Sequence, residues 1–592
     1  MKLGKTSTRW LFVIGLMGLV LSGCGKPPSS SSGGSGVSYD PEADPLVNPA
    51  SMFEEPPGDL AQIDTEDTLY LQLDGNPNTL NPLFASTMYD INAQNVLYDS
   101  LFTFGADLVW GVNYEMVESL EESEDHRTFT VRLRPGLKWH DGQPFTAHDV
   151  VFSYEAIMDD AVPALTQKSS TAPITYAEAL DDRTVVFTQA EPNATRKWAL
   201  LFPVIPKHKF EVDRENHPDL KTGDIYTRLA RDEVVGNGPY KLVEFVENDR
   251  VVVERWEDFH GKKPYYKRIV FRIIPDDNIA LLSFEKGEVD IFEKLIAQQF
   301  AKETVESETF KRIGYKARGT EWTFGYIGWN MRNNPFFTDV RVRRAMAHAF
   351  NMDRFIGNVY YNLAEPCLGI YHPSSPMFNP EIQPIQYDVD RAAALLDEAG
   401  WLVDENDGWR YKTVDGVKTA FEFTLTIPQG SSTGQKAAAI LQEDLRKLGV
   451  RMGTTVLEWA AFVEKNRAHD FEAQISAWGT GADPDTGWNI WRTEQYEEGR
   501  NYGGYSNPEV DQLFYDARYE FDYDKRMSLY ADVSKVIYDE QPYLFIYNRP
   551  TLAAVNKRIR GIQFSPRGLT GFWPSMFAWW TPSNDSATSQ RD

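Results

Sequence analysis

The stretch WGTGADPDTGWNIW, residues 478–491, sets three tryptophans and two aspartates among glycines and a proline. Paired carboxylates can work as acid and base, bind a metal or grip a cation. Tryptophan faces can hold a sugar ring, a peptide side chain or a flat ligand. Asp483 and Asp485 are two apart in one turn, whereas glycoside hydrolysis needs carboxylates on opposite sides of the scissile bond. The chain contains no H-E-x-x-H and no phosphate-binding loop. Its nine histidines are scattered, and only His140 and His148, in WHDGQPFTAH, flank one turn. Recognition of a small solute, without cofactor or metal, is therefore the expected chemistry, and the chain reads as a binding protein rather than an enzyme.

The elements around the stretch suit that role. FEAQISAW (471–478) alternates as a strand and runs straight into it. FEFTLTI (421–427), GQKAAAILQEDLRKLGV (434–450) and MGTTVLEW (452–459) read as strand, helix, strand. The helix sets Ala438, Leu441, Leu445 and Leu448 on one face and ends at Gly449. A βαβ unit implies a partly parallel sheet, where ligands gather beyond the carboxyl ends of strands. Upstream, TLYLQLD (68–74) and RTFTVRLRPG read as strands, with Phe129, Val131 and Leu133 on one face of the latter. Thr146 and Asp149 form a capping box for a helix in TAHDVVFSYEAIM. YKLVEFVENDRVVVERW reads as a hairpin.

At 592 residues the chain has material for more than one domain. Its net charge of −26 repels phosphate backbones, which excludes nucleic acid as the expected partner. Two cysteines, Cys24 and Cys367, allow no disulfide framework, and Cys367 reads as a buried small hydrophobe. Residues 1–23 read as an export signal, with Lys2, Lys5 and Arg9 before the apolar run WLFVIGLMGLV. LSGC, ending at Cys24, resembles the bacterial lipobox, so Cys24 is the expected lipidation site. Gly, Ser and Pro dominate the next segment, so residues 24–60 read as a flexible tether.

Several segments together resemble the family-5 extracellular solute-binding proteins, the receptors of oligopeptide, dipeptide and nickel ABC importers. They include NPNTLNPLFASTMYDINAQNVLYDSLF, LRPGLKWHDGQPFTAHDVVFSYE, GNGPYKLVEF, LLSFEKGEVDI and GYIGWNMRNNPFFTDVRVRRAMAHAFNMDRFI. VDRAAALLDEAGW, NYGGYSNPEVDQLFYDAR and DEQPYLFIYNR follow in the same order. The resemblance spans about residues 68–550. It implies an α/β, two-lobed periplasmic-binding-protein type II fold (cluster C), with an extra subdomain in the first lobe at about 100–230. Lobe I would comprise 60–320 plus 548–592, and lobe II 321–547, with hinge strands crossing near 320–328 and 541–547.

The resemblance implies a monomeric receptor in the cell envelope, in the periplasm or on the outer face of the cytoplasmic membrane. It would hang from lipid at Cys24, capture a peptide-like solute in an interlobe cleft and deliver it to an ABC permease. Oligosaccharide or nickel-chelate binding by the same fold stays open, as does an exported hydrolase. The implied ligand-binding residues are Trp478, Gly479, Thr480, Asp483, Trp488, Tyr326, Trp329, Asn330, Ser86 and Thr87. In peptide receptors of the family a loop aspartate pairs with the ligand's ammonium. Here the Trp478–Pro484 spacing is one residue shorter and Thr480 and Gly481 fall at that place, leaving Asp483 as ligand group or as an Asx-turn former. Core packing is the competing role for Trp491, and strand packing for Tyr326, Trp329 and Asn330.

Overall fold

The structure, a computed structural model, describes residues 39–583 except Ser86, Leu220, Thr222, 225–233, Asn333, Ala482 and Asp483. The export signal, Cys24, Ser86 and Asp483 thus lie outside the described residues.

One continuous sheet organises the chain. Its strands are β1 (Thr68–Leu73), β2 (Tyr240–Val246), β3 (Arg250–Arg255), β4 (Arg268–Ile273) and β5 (Ile291–Phe292), then β6 (Gly314–Trp329), β7 (Glu422–Pro428), β8 (Arg451–Leu457), β9 (Ala473–Gly479) and β10 (Tyr543–Asn556). The spatial order is β8-β7-β9-β6-β10-β5-β1-β4-β3-β2. β6 and β10 are long and antiparallel, and they belong to both ends of this sheet. Gly314–Thr320 pairs with Pro550–Asn556, beside β5; Phe324–Gly328 pairs with Tyr543–Asn548, beside β9. Between Thr320 and Phe324 the register slips, and such a bulge bends and twists a strand pair. β5 and β1 run parallel on one side of the slip, as do β7 and β9 on the other. The carboxyl ends of β5, β7 and β9 all point at the crossing.

Three helices matter here. α1 (Ala147–Met158) begins at the Thr146–Asp149 capping box expected from the sequence. α2 (Met352–Tyr360) is followed by Tyr361 in the left-handed conformation. α3 (Ser432–Lys447) lies between β7 and β8, buries Ala438, Leu441 and Leu445, and stops before Gly449, whose φ of +74° suits glycine. The βαβ reading of this region therefore holds, and the expected hairpin is β2–β3.

Distinct apolar clusters lie on the two sides of the crossing. On the β9 side Trp329, Phe337, Trp401, Phe421 and Leu441 share one core; on the β1 side Leu69, Leu71, Ile269, Ala553 and Trp579 share another. A third core, with Phe129, Val131, Leu133, Val150 and Phe187, lies between α1 and a separate four-stranded layer. That layer is built from Val117–Glu122, Thr128–Leu133, Thr184–Gln189 and Ile174–Asp181.

The tether reading needs correction from Tyr39 onward. Met52 is wholly buried, Asn48 exchanges hydrogen bonds with the Arg318 backbone, and Asp44 bridges the buried Lys316 at 2.8 Å. Charge pairing and one apolar anchor fix residues that composition alone assigns to a flexible leash.

Candidate functional site

A cavity of about 580 Å3 opens at the crossing, where the parallel strands of both sides end. From the β5 end come Glu293, Lys294 and Leu295; from the crossing strands Glu321, Thr323, Gly325, Tyr547 and Arg549. The rest of the lining comes from Tyr360 and Tyr361, from the first turn of α3 with Ser431–Thr433 and Lys436, and from Ala477 of β9, the cross-strand neighbour of Gly325. Gly325 is required here: a Cβ would come within 2.2 Å of the Tyr547 ring, which covers it. Tyr547 in turn packs on Tyr360, with ring centroids 4.8 Å apart.

The two groups differ in how their charges are balanced, the first holding Glu293 and Glu321 beside Lys294 and Arg549. On the first, burial raises the Glu293 carboxyl to about 7, although Thr570 donates a hydrogen bond to it at 3.3 Å. Burial also raises Glu321, against the pull of Arg549 at 3.7 Å. Lys294 of this group is already paired with Asp74. The second group carries Lys436 and the start of a sixteen-residue helix, whose first N–H groups and dipole favour negative charge. A solute with an ammonium at one end and a carboxylate at the other matches this arrangement.

The residues singled out from the sequence separate into groups. Ala477 and Gly479 are exposed on β9, and the Thr480 N–H and hydroxyl both donate to the Trp322 carbonyl, at 2.8 and 3.1 Å, extending that strand along β6. Trp478 turns to the other face of the sheet. It is half-buried, stacks 6.3 Å from Tyr326 and donates its indole N–H to the Tyr543 hydroxyl at 3.4 Å. Tyr326 stacks on Tyr543 at 3.9 Å and is almost fully buried, so it supports Trp478 from beneath. Trp329 and Asn330 are corrections to the cleft-facing expectation, since both have zero exposure. Trp329 packs on Phe337 at 4.5 Å, and the Asn330 amide donates to the His469 and Phe471 carbonyls. Their place beside the hinge strand concealed that the strand end is core. Thr87 caps a short helix, its hydroxyl accepting the Asp90 N–H, so its side chain has a structural partner.

Asp485 settles part of the carboxylate question. Its Oδ2 accepts from Arg518 Nε and Nη2 at 3.0 and 2.5 Å, so the cation it grips belongs to the protein. Trp488 stacks against the Arg518 and Arg492 guanidiniums at 3.2 and 3.8 Å, and Trp491 is core. Each such contact contributes about 0.5–2 kcal/mol. His140 is structural: burial lowers its pKa to about 4, and its ring binds the Gly236 N–H and the Gly238 carbonyl oxygen. Cys367 is buried as expected, with its thiol pushed up to about 12 by that burial.

Glu293, Glu321, Lys436 and Arg549 were missed from the sequence. The signal was available: Glu293 follows β5 and Ser431 follows β7, and the rule that drew attention to the loop after β9 applies equally to both.

Comparisons agree with this geometry. The sequence model described as "Bacterial extracellular solute-binding proteins, family 5 Middle" matches residues 111–498. Oligopeptide-binding protein AppA of Bacillus subtilis is 27% identical over 579 residues, 96% of this chain and 98% of its own. A dipeptide-binding protein of Escherichia coli is 26% identical over 536 residues, 85% of this chain and 94% of its own. The structure of Bacillus subtilis AppA in complex with a nonapeptide superposes with a TM-score of 0.69 at 25% identity, covering 88% of this chain and all of that one. NikA of Brucella suis in complex with Fe(III)-EDTA has the same fold, with a TM-score of 0.73 at 24% identity over 88% of this chain and 100% of its own.

Proposed function

The chain belongs to the family-5 bacterial extracellular solute-binding proteins, and on that premise we propose that it captures a peptide-like solute in the cavity at the strand crossing. The carrying observation is the cavity itself. Both sides of the crossing contribute to it, with Glu293 and Glu321 beside Lys294 and Arg549 in one group and a helix start with Lys436 in the other. A receptor for varied side chains needs room, apolar surface and fixed contacts at the main-chain ends. Tyr360, Tyr547 and the exposed strand edge at Ala477 and Gly479 offer these, and Asp483 lies five residues beyond Trp478.

In this reading residues before the crossing, with the C-terminal segment, form lobe I, and those between β6 and β10 form lobe II. The lobes close on the solute and hand it unchanged to an ABC permease. The lipobox resemblance supports anchoring at Cys24 in the cell envelope, as a monomer. Replacement of Cys24 by Ser should abolish metabolic labelling with palmitate; retained label refutes the anchor.

Isothermal titration against alanine tripeptides, cello-oligosaccharides and nickel–histidine tests the ligand class. Binding of the tripeptide is expected. Binding confined to the sugar or to the nickel chelate overturns the peptide reading, and a nickel-binding relative of Escherichia coli, 24% identical, makes the latter arm worth running.

A further inference from the structure

The four-stranded layer touches the β9 side through two of its turns. Asn193 Oδ1 accepts the Thr195 N–H and hydroxyl, each at 2.9 Å, which shapes the loop around Ala194. The Ala194 N–H then donates to the Arg518 carbonyl at 3.0 Å. Next to it the Tyr519 hydroxyl donates to Glu191 at 3.2 Å. From the second turn His126 stacks on Phe521, with centroids 3.9 Å apart. Arg127 joins the two turns by donating to the Ala190 carbonyl. These landing points lie within four consecutive residues at the end of α4 (Pro508–Tyr519).

The side chain of the same Arg518 reaches the turn that follows β9. Its guanidinium holds Asp485 through two hydrogen bonds and covers Trp488 at 3.2 Å. Both charged side chains are largely shielded from water, at 16% and 13% exposure, so the pair is little screened. A planar guanidinium that is both hydrogen-bonded and stacked transmits a displacement of its backbone; a flexible ammonium does not.

We propose that Arg518 is a positioning residue: its carbonyl receives the four-stranded layer, and its guanidinium passes that docking to the Pro484–Gly487 turn through Asp485 and Trp488. One residue thereby links the layer to the turn that follows β9, so the geometry of that turn tightens as the layer docks.

Hydrogen–deuterium exchange by mass spectrometry, on the mature chain without added ligand, tests this independently of what the solute is. A Glu191→Ala, Tyr519→Phe double variant loosens docking while leaving Arg518, Asp485 and Trp488 themselves unchanged. It should speed amide exchange in 485–491 about tenfold, because protection there reports local opening. The same pair should add nothing in an Arg518→Gln background. Arg518→Lys should behave like Arg518→Gln, and exchanging the charges, Asp485→Arg with Arg518→Asp, should restore part of the protection. Unchanged exchange in 485–491 on loosening the docking contacts overturns the proposal, as do strictly additive effects. Should Arg518→Gln fail to fold, the double variant alone still decides.

Discussion

Glu293 leaves β5 into the cavity, and burial there lifts its carboxyl from 4.5 to about 7. Between those values the folded chain holds a proton that the unfolded chain has released. Its contribution to stability therefore falls as pH rises through that window, and the loss is complete above it. A bound ammonium reverses the preference by favouring the carboxylate, so binding expels a proton. Tripeptide affinity should rise between about pH 6 and about pH 8, with proton release visible as a buffer-dependent heat, and Glu293→Gln should flatten the profile. A wild-type affinity indifferent to pH would remove Glu293 from ammonium recognition. At this scale the sequence was an uneven guide. Thr146, Asp149 and Gly449 were readable because capping and left-handed turns depend on residue type alone. Trp329 and Asn330 were misread because strand alternation gives a face without saying which face is wet. The Arg518–Asp485 pair, 33 positions apart, had no local signature.

The elements were more legible than their margins. The alternating strands and the β7–α3–β8 unit matched their patterns, since the buried faces repeat at the expected periods. The N-terminal segment did not. Residues 39–60 look like linker by composition, yet Asp44 holds a lysine with no exposure, whose Nζ also donates to the Phe300 carbonyl at 2.7 Å. Removing one partner leaves a buried charge, so Asp44→Ala should lower unfolding free energy by about 3 kcal/mol in urea titrations at neutral pH. A change under about 0.5 kcal/mol would return this segment to the status of a tether. Substituting Glu42, which reaches Arg318 from an exposed position, should cost far less.

At the scale of the whole molecule, two strands carry the chain between two cores, and the register slip at Thr320–Phe324 is where the pair can bend. Under the proposed capture of a solute, contacts with both sides of one cavity would give closure its differential free energy, because only the closed arrangement would make them all. Order of segments along the chain revealed the family; the grouping of Glu293, Glu321, Arg549 and Lys436 around one cavity emerged only in three dimensions, from segments more than a hundred residues apart. Native mass spectrometry of the purified chain incubated with a tripeptide mixture, beside an Ala477→Trp variant that fills the exposed strand edge, probes capture most directly. The wild type should carry a peptide of unchanged mass and the variant should carry none. Equal peptide on both, or recovery of hydrolysed fragments, would contradict capture of an intact solute in that cavity.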